Sequence, residues 1–562
     1  MRWPGHAASR CSDDHRIRSH VVTELIGRIR RMLWTIGVLV RSGMLAPLRP
    51  DKYLRMGLVI WRQGTTPMTG LGLAAVRRPN ATALVDELGS LTWAQLDTRS
   101  DALATALRDL RRQPDQTVGI LCRNHRGLVE SLLASTKLGA DSLLLNTGFS
   151  GPQLTEVLLR EHTGVLIYDD EFAELVAHAR SHVEDLAEVV AWTDSSTDAP
   201  TVEGLINKHR GAKRPGRPDS PGRIVLLTSG TTGTPKGARR SGGGGAGALA
   251  AMFDRIPWKA EEKIVVAAPM FHAWGFGQLA VAGTMTCTVV MRRKFDPEAT
   301  LKLVAEHRAT GLALVPVMLE RIMDLPSDVL DHYQLSSLRF ATVSGSRMRA
   351  DAVTGFMDRF GDVVYNSYNA TEAGLISTAT PADLRAATDT AGRPAAGTEV
   401  RILDDNLDEL PVGEVGKIAV FSNSHFEGYT SGDSKDFHGD FMLSGDVGRL
   451  DENGRLFVVG RDDDMIVSGG ENVYPLEVEE TLNAHPSVLE AAVLGVDDDK
   501  YGQRLAAYVV LKPGEDASCD DLKAHVKSQL AGFKVPRDVE FLDALPRNAT
   551  GKVVKRELTG PA

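Results

Sequence analysis

Apolar positions across residues 94–110 recur at helical spacing, with Leu96, Leu103, Ala104 and Leu107 on one face. Just upstream, Thr82–Val85 and Ser90–Trp93 read as a strand pair. Thr117–Leu121 and Ser142–Leu145 read as strands and alternate with helical patterns at His125–Leu138 and Gln153–Glu161. That alternation predicts α/β layers on parallel strands. Ile224–Leu227 reads as a buried strand end, after a Pro/Gly/basic stretch over 209–222 that is expected to be an exposed linker. From Asp462 the texture changes. Short strands at Ala491–Val496 and Leu505–Leu511, with helices at Leu476–Asn483 and Cys519–Leu530, predict a smaller α+β domain of about a hundred residues. There is no internal repeat.

A chain of 562 residues is expected to hold roughly two to four domains. Its 43% hydrophobic and 24% charged content are those of an ordinary soluble globular protein. The net charge of −9 gives no support to nucleic-acid binding. Cys11, Cys122, Cys287 and Cys519 are far apart and form no C-x-x-C pair, which argues for reduced thiols in the cytoplasm and against a zinc site. Charge is uneven: residues 1–62 carry twelve Arg/Lys against four Asp/Glu. Met32–Val40, flanked by arginines, is half the length of a membrane span. With Met56–Trp61 it reads equally as a segment packed on the body or as one lying peripherally on a membrane, through residues 32–62. Residues 1–31 show little periodicity and are expected to be partly disordered, or to precede a true start at Met32.

The most patterned chemistry lies after Leu227, in TSGTTGTPKG. Glycines free the backbone to turn its N–H groups inward, the hydroxyls of Thr228, Ser229, Thr231 and Thr232 add donors, and Lys236 adds a compact charge. Such a loop suits a polyphosphate, although it is not a Walker P-loop. Other signals are weaker alone. YNATEAG puts Glu372 beyond a strand end, where a lone carboxylate beside phosphates is a natural Mg²⁺ ligand. VSGSR is a strand-to-glycine turn, and His272 sits between aromatics. Asp446 in SGD, fifteen residues before Arg461, has the chemistry of a ribose ligand, although SGD alone reads better as a plain turn. Lys552 lies in PRNATGK, which by itself reads as a basic solvated tail.

Taken together, TSGTTGTPKG, YNATE, SGD, GRDDD and PRNATGK resemble, in order and spacing, the core motifs of the adenylate-forming superfamily of acyl-CoA synthetases, adenylation domains and luciferases. The resemblance runs from about Thr65 to Leu558. It implies an α/β fold: a large N-terminal domain of layered sheets with a distorted β-barrel part (63–461) behind the head (1–62), and a mobile C-terminal domain (462–562) hinged near Asp463. It further implies that Thr228, Ser229, Gly230, Thr231, Thr232, Gly233 and Lys236 hold the ATP phosphates, and that Glu372 ligates Mg²⁺. Gly345, Ser346, Arg347, Tyr368, Asn369 and Thr371 would line the adenine, and Asp446 and Arg461 would grip the ribose. His272 would stand near the acyl carboxylate, and Gly469, Gly470, Glu471 and Asn472 would line the thiol tunnel for coenzyme A. Lys552 would be the catalytic lysine. Asn369 departs from the glycine that many members carry.

Within the superfamily the chain most resembles bacterial medium- to long-chain fatty-acyl-CoA ligases. The basic apolar head supports this, as does the lack of an insertion between Asp462 and Tyr474. The implied reaction joins a fatty acid to coenzyme A through an acyl-adenylate. Three alternatives stand beside it: a ligase loading a carrier protein, a CoA ligase for an aromatic or steroid carboxylate, and a non-catalytic nucleotide sensor.

Overall fold

The computed structural model describes residues 26–227, 237–240, 245–370, 372–422, 426–429, 435–468, 471–498, 502–548 and 551–558. For 237–240, 426–429, 467 and 471–472 it describes the backbone alone. Two large sheets carry the N-terminal domain. In the seven-stranded sheet, Ile224–Leu227, Ser142–Leu144, Thr117–Leu121, Thr163–Asp169 and Ala187–Trp192 run parallel in that spatial order. In the nine-stranded sheet, Val364–Ala370, Phe340–Val343, Gly311–Leu314, Lys263–Val266, Thr288–Val290 and Thr82–Asp86 run parallel, with antiparallel strands at both edges.

The parallel strands are apolar on both faces because helices cover both. Helix Arg126–Leu138 is buried along most of its length and touches both sheets. Its buried Glu130 is met by Arg99, and its Lys137 by Asp97 and Asp101. Each charge taken from water therefore has an opposite partner. Helix Trp93–Leu110 starts at Thr92, whose hydroxyl accepts from the Gln95 backbone while Gln95 closes a capping box.

A five-stranded antiparallel sheet follows, built from Glu399–Leu403, Gly416–Phe421, Phe437–His438, Phe441–Leu450 and Leu456–Arg461. It has its own core around Ile402, Ile418 and Leu456. The small C-terminal domain is a second five-stranded sheet centred on the long hairpin Val488–Asp498 and Gly502–Leu511. Helices Pro475–Asn483 and Cys519–Gln529 pack there against Val493, Leu505 and Val509.

The 209–222 stretch has no helix or strand, as the pattern predicts, yet it is not a free linker. Arg214 forms ion pairs with Asp97 and Asp101, and Arg217 stacks 4.9 Å over the Trp61 ring. The head is also partly docked. Helix 26–41 and helix Pro50–Gln63 bury Val38, Leu39 and Val59, and Arg77 donates to the carbonyls of Gly43 and Met44. Residues 1–25 lie outside the described residues. Cys122, Cys287 and Cys519 are free thiols, and Cys11 lies outside the described residues.

Candidate active site

The strand ends of the nine-stranded sheet, the antiparallel sheet and the C-terminal domain converge around Asp446. Asp446 and Arg461 lie opposite each other on paired strands, so the fifteen-residue spacing is a hairpin register. Arg461 Nη1 stands 3.5 Å from Asp446 Oδ1, and Nε donates to Asp463 Oδ1 at 3.0 Å. Tyr368, at the end of strand Val364–Ala370, donates its hydroxyl to Asp446 Oδ2. Burial raises the Asp446 carboxyl above the ordinary aspartate range, and Tyr368, Arg461, Lys435 and Lys552 pull it back. Burial beside Asp446 likewise drives the Tyr368 phenol well up. Nothing in the sequence pattern separates Lys435 from its polar neighbours. It donates to the Ser444 carbonyl at 3.1 Å and adds a cation near Asp446.

Lys552 enters this cleft from the C-terminal domain. The described ends of the PRNATGK segment are joined: Arg547 bridges to Val553, and the Lys552 N–H donates to Asn548 Oδ1 at 3.0 Å. Gly551 has φ +81°, and a Cβ there would come 2.2 Å from Val317 Cγ1 of the N-terminal domain. Only glycine lets the turn seat this closely. Lys552 itself remains open to solvent, yet protein crowding in the cleft lowers its ammonium pKa, with Asp446 opposing the shift and Arg461 adding to it. The motif is a built turn that delivers a charge, where its composition alone reads as a solvated tail.

His272 stands at the start of helix Ala273–Thr284. Asn124 holds the preceding turn, donating to Ala268 O at 2.9 Å and accepting from the Met270 N–H at 2.8 Å. Trp274 Nε1 donates to Leu314 O at 2.9 Å, and Gly275 lies so close under Pro269 that a Cβ would meet its carbonyl oxygen at 2.2 Å. His272 Nε2 is buried with no hydrogen-bond partner among the described residues. Burial, then the nearby Lys552, lower its pKa to about 3, so the ring is neutral at physiological pH.

Two expected adenine-side residues have other partners. Arg347 forms ion pairs with Asp389 at 3.5 Å and with Glu480 of the C-terminal helix Pro475–Asn483, so it ties the two domains together. Asn369 donates to Ser344 Oγ at 2.9 Å, which joins its strand to the VSGSR turn and gives the amide a structural use that glycine lacks. Gly345 and Ser346 are exposed in that turn. Glu372 occupies the turn between Val364–Ala370 and Gly374–Ala379. One carboxylate beyond a strand end fits Mg²⁺, which takes few protein oxygens when phosphates supply the others.

Thr228, Ser229, Gly230, Thr231, Thr232, Gly233 and Lys236 lie outside the described residues, as do Thr371, Gly469 and Gly470. The flanks of the first loop are described: Leu226 pairs with Ala238 and Leu227 with Gly237, so the Thr/Gly run connects two antiparallel strands. Glu471 and Asn472 pair through their backbone with Ser468 and Val467.

The AMP-binding enzyme family model matches residues 73–430, and the model of the AMP-binding enzyme C-terminal domain matches 477–552. The chain belongs to the AMP-binding enzyme family. It is 34% identical to a feruloyl-CoA synthase of Amycolatopsis sp over 501 residues, 87% of this chain and 98% of that one. It is 30% identical to the fatty acid–[acyl-carrier-protein] ligase ScoC of Streptomyces coeruleorubidus, over 86% of this chain and 94% of that one. Among solved structures it resembles the o-succinylbenzoate CoA synthetase of Bacillus subtilis in complex with its acyl-adenylate intermediate. The TM-score there is 0.74 and the identity 27%, over 88% of this chain and 98% of that one. This AMP-binding enzyme is thus an AMP-forming acid–thiol ligase that uses ATP, Mg²⁺ and coenzyme A. Among the described residues no helix is long and apolar enough to cross a membrane.

Proposed function

We propose that this AMP-binding enzyme joins a ring-bearing carboxylate to coenzyme A through an acyl-adenylate, in place of the fatty acid expected from its head. The observation that carries this reading is the 34% identity to a feruloyl-CoA synthase across nearly that protein's whole length. The sheet face under the His272 helix supports it. Val266, Ala313, Thr342 and Tyr365 stand in one register row across four strands, so the row is mostly small side chains. Phe340 lies over Gly311 on the same face and meets Trp258 at 4.9 Å between ring centroids. Thr342 Oγ1 is buried there without a partner among the described residues, and a buried hydroxyl left unpaired is costly, so it suits a polar ring substituent.

In the first step a carboxylate oxygen attacks the α-phosphorus of ATP, the bond to the β-phosphate oxygen breaks, and pyrophosphate leaves. The barrier is repulsion between two anions. Lys552 offsets it with a charge aimed into the cleft, while Asp446, held by Tyr368 and Arg461, orients the ribose. Mg²⁺, held by Glu372 and the phosphates, would supply further neutralisation. Neutral His272 offers an uncharged polar edge near the acid. In the second step the thiol sulfur attacks the acyl carbon, the acyl–phosphate bond breaks, and AMP leaves with the electron pair.

The hinge belongs to this proposal. Asp462 faces Lys417 at 3.9 Å and Asp463 faces Arg461 at 3.0 Å, whereas Asp464 faces Lys555 of the C-terminal domain at 3.5 Å. The partners change sides between Asp463 and Asp464, which supports a pivot there and domains of 63–461 and 462–562. Rotation would withdraw Lys552 and bring the 469–472 segment to the thiol.

The test is thioester formation across two series, hydroxylated and unsubstituted arylpropenoates and straight-chain acids of increasing length, scored by kcat/KM. A preference for the aryl series is expected. Thr342→Val should weaken use of hydroxylated rings and spare unsubstituted ones. A maximum among long straight-chain acids overturns the proposal and restores the fatty-acid reading, which the fatty acid–carrier-protein ligase relative favours.

A further inference from the structure

The head is where this chain exposes its apolar side chains. Of the nineteen large apolar residues exposed among the described residues, twelve fall between Ile26 and Trp61. In helix 26–41, Ile26, Ile29, Leu33, Ile36 and Val40 are all exposed and follow one another at alternating spacings of three and four. That spacing places them in one stripe along one face. The opposite side of the same helix turns Val38 and Leu39 into the main core, so the stripe is the outer face of an anchored helix. Helix Pro50–Gln63 repeats the arrangement. It buries Val59 and exposes Leu54, Leu58 and Trp61 at helical spacing, Leu54 to 79%. Part of the Trp61 ring is covered by Arg217.

Charge selects the occupant. Between Glu24 and Asp51 the sequence holds five arginines and no acidic residue. Arg30 is exposed beside the first stripe, and Arg55, which pairs with Asp51 at 3.9 Å, is exposed beside the second. A second copy laid on this stripe would bring arginine against arginine, with no carboxylate on the helix to answer it. Pairing helices normally carry complementary charges at the flanks. An anionic surface meets both features together, apolar stripe and basic flank.

We propose that the two head helices dock this enzyme peripherally on an anionic lipid bilayer, with the stripes Ile26–Val40 and Leu54–Trp61 entering the headgroup boundary and Arg30 and Arg55 meeting the lipid phosphates. Helix 26–41 lies in the plane of the surface. The rest of the chain, at a net charge near −17, faces water.

The experiment is flotation of the full chain with vesicles of phosphatidylglycerol and phosphatidylcholine, against vesicles of phosphatidylcholine alone, at low and high salt. Binding is expected to the anionic vesicles and to weaken as salt rises. Leu33→Glu with Leu54→Glu changes only exposed positions, and Arg30→Gln with Arg55→Gln removes only charge. Each pair should keep the thioester activity measured in detergent-free buffer and lower vesicle binding on the order of tenfold. A full chain that stays with the unbound fraction overturns the proposal. So does equal binding to both vesicle types, binding that either variant pair leaves unchanged, or a concentration-dependent dimer that Leu33→Glu and Leu54→Glu dissolve.

Discussion

Replacing Tyr368 by phenylalanine isolates one bond in the nucleotide cleft. The phenol donates to Asp446 Oδ2, whereas the other strong partner, Arg461, is 3.5 Å from Oδ1 and is also engaged by Asp463. The Asp446 side chain is only 16% exposed, so water replaces the lost donor poorly. A hydrogen bond to a charged group contributes about 1.5–3 kcal/mol. For a domain this large that corresponds to a fall in melting temperature of roughly 2–4 °C. The pH effect has a definite sign. Burial already raises the Asp446 carboxyl, and the Tyr368 donor opposes that shift. Without the donor the carboxyl rises further, so the ionised form is lost at a higher pH as the solution is acidified. In an ATP–pyrophosphate exchange assay the acid limb of kcat/KM for ATP should therefore move to higher pH in Tyr368→Phe. A lower melting temperature with an unmoved acid limb would leave the bond structural and remove Asp446 from ATP recognition. No change in either quantity would refute the bond itself.

Lys552→Arg should remove any alkaline loss of adenylation that the wild type shows below the ordinary lysine value of 10.5, because the cleft lowers the lysine pKa and guanidinium stays charged; a limb shared by both proteins counts against Lys552 as its source. Lys552→Ala should cut acyl-adenylate formation about 10²–10³-fold and spare thioester formation from supplied acyl-adenylate, followed by separate half-reaction assays. His272 is held neutral, with its pKa near 3 in the fold against 6.5 unfolded, so the unfolded chain binds more protons in that window and stability falls as pH drops from 6.5 toward 3. His272→Asn should flatten that part of a denaturation profile, and an unchanged profile places the acid loss elsewhere. Glu480→Gln breaks the Arg347 tie between domains; for a partly exposed pair worth about 0.2–1 kcal/mol, the ratio of thioester to adenylate rates should rise roughly 1.4- to 5-fold, and a ratio identical to wild type denies the tie any part in domain position.

Elements with strong local periodicity are legible in the sequence. Strand Thr117–Leu121 has the predicted bounds, and the helices predicted at residues 94 and 125 start within one residue at Trp93 and Arg126. Capping and apolar spacing act over a few residues, so a window of sequence contains them. Ion-pair choice does not act locally. Arg347 sits in a glycine turn that reads as a nucleotide contact, but its partner Glu480 lies 133 positions away on another domain. Lys435 stands in a polar run with nothing to separate it from its neighbours until the sheet places it beside Ser444. The 209–222 stretch reads correctly as irregular, but its Arg214 anchor depends on where Asp97 and Asp101 come to rest. The head meets the expectation of a segment packed on the body through one face of each helix, and leaves the other face bare.

Asn124 has one consequence for how the protein reaches its native state. A single side chain, just after a strand of the seven-stranded sheet, clasps the backbone from Val266 to Met270 at the end of a central strand of the nine-stranded sheet, across 142 to 146 positions of sequence. Contacts of such separation form only after the intervening loop has closed and both sheets have condensed. The His272 turn is therefore a late product of folding, and a chain arrested with its sheets formed but undocked would hold most of its secondary structure without a catalytic centre.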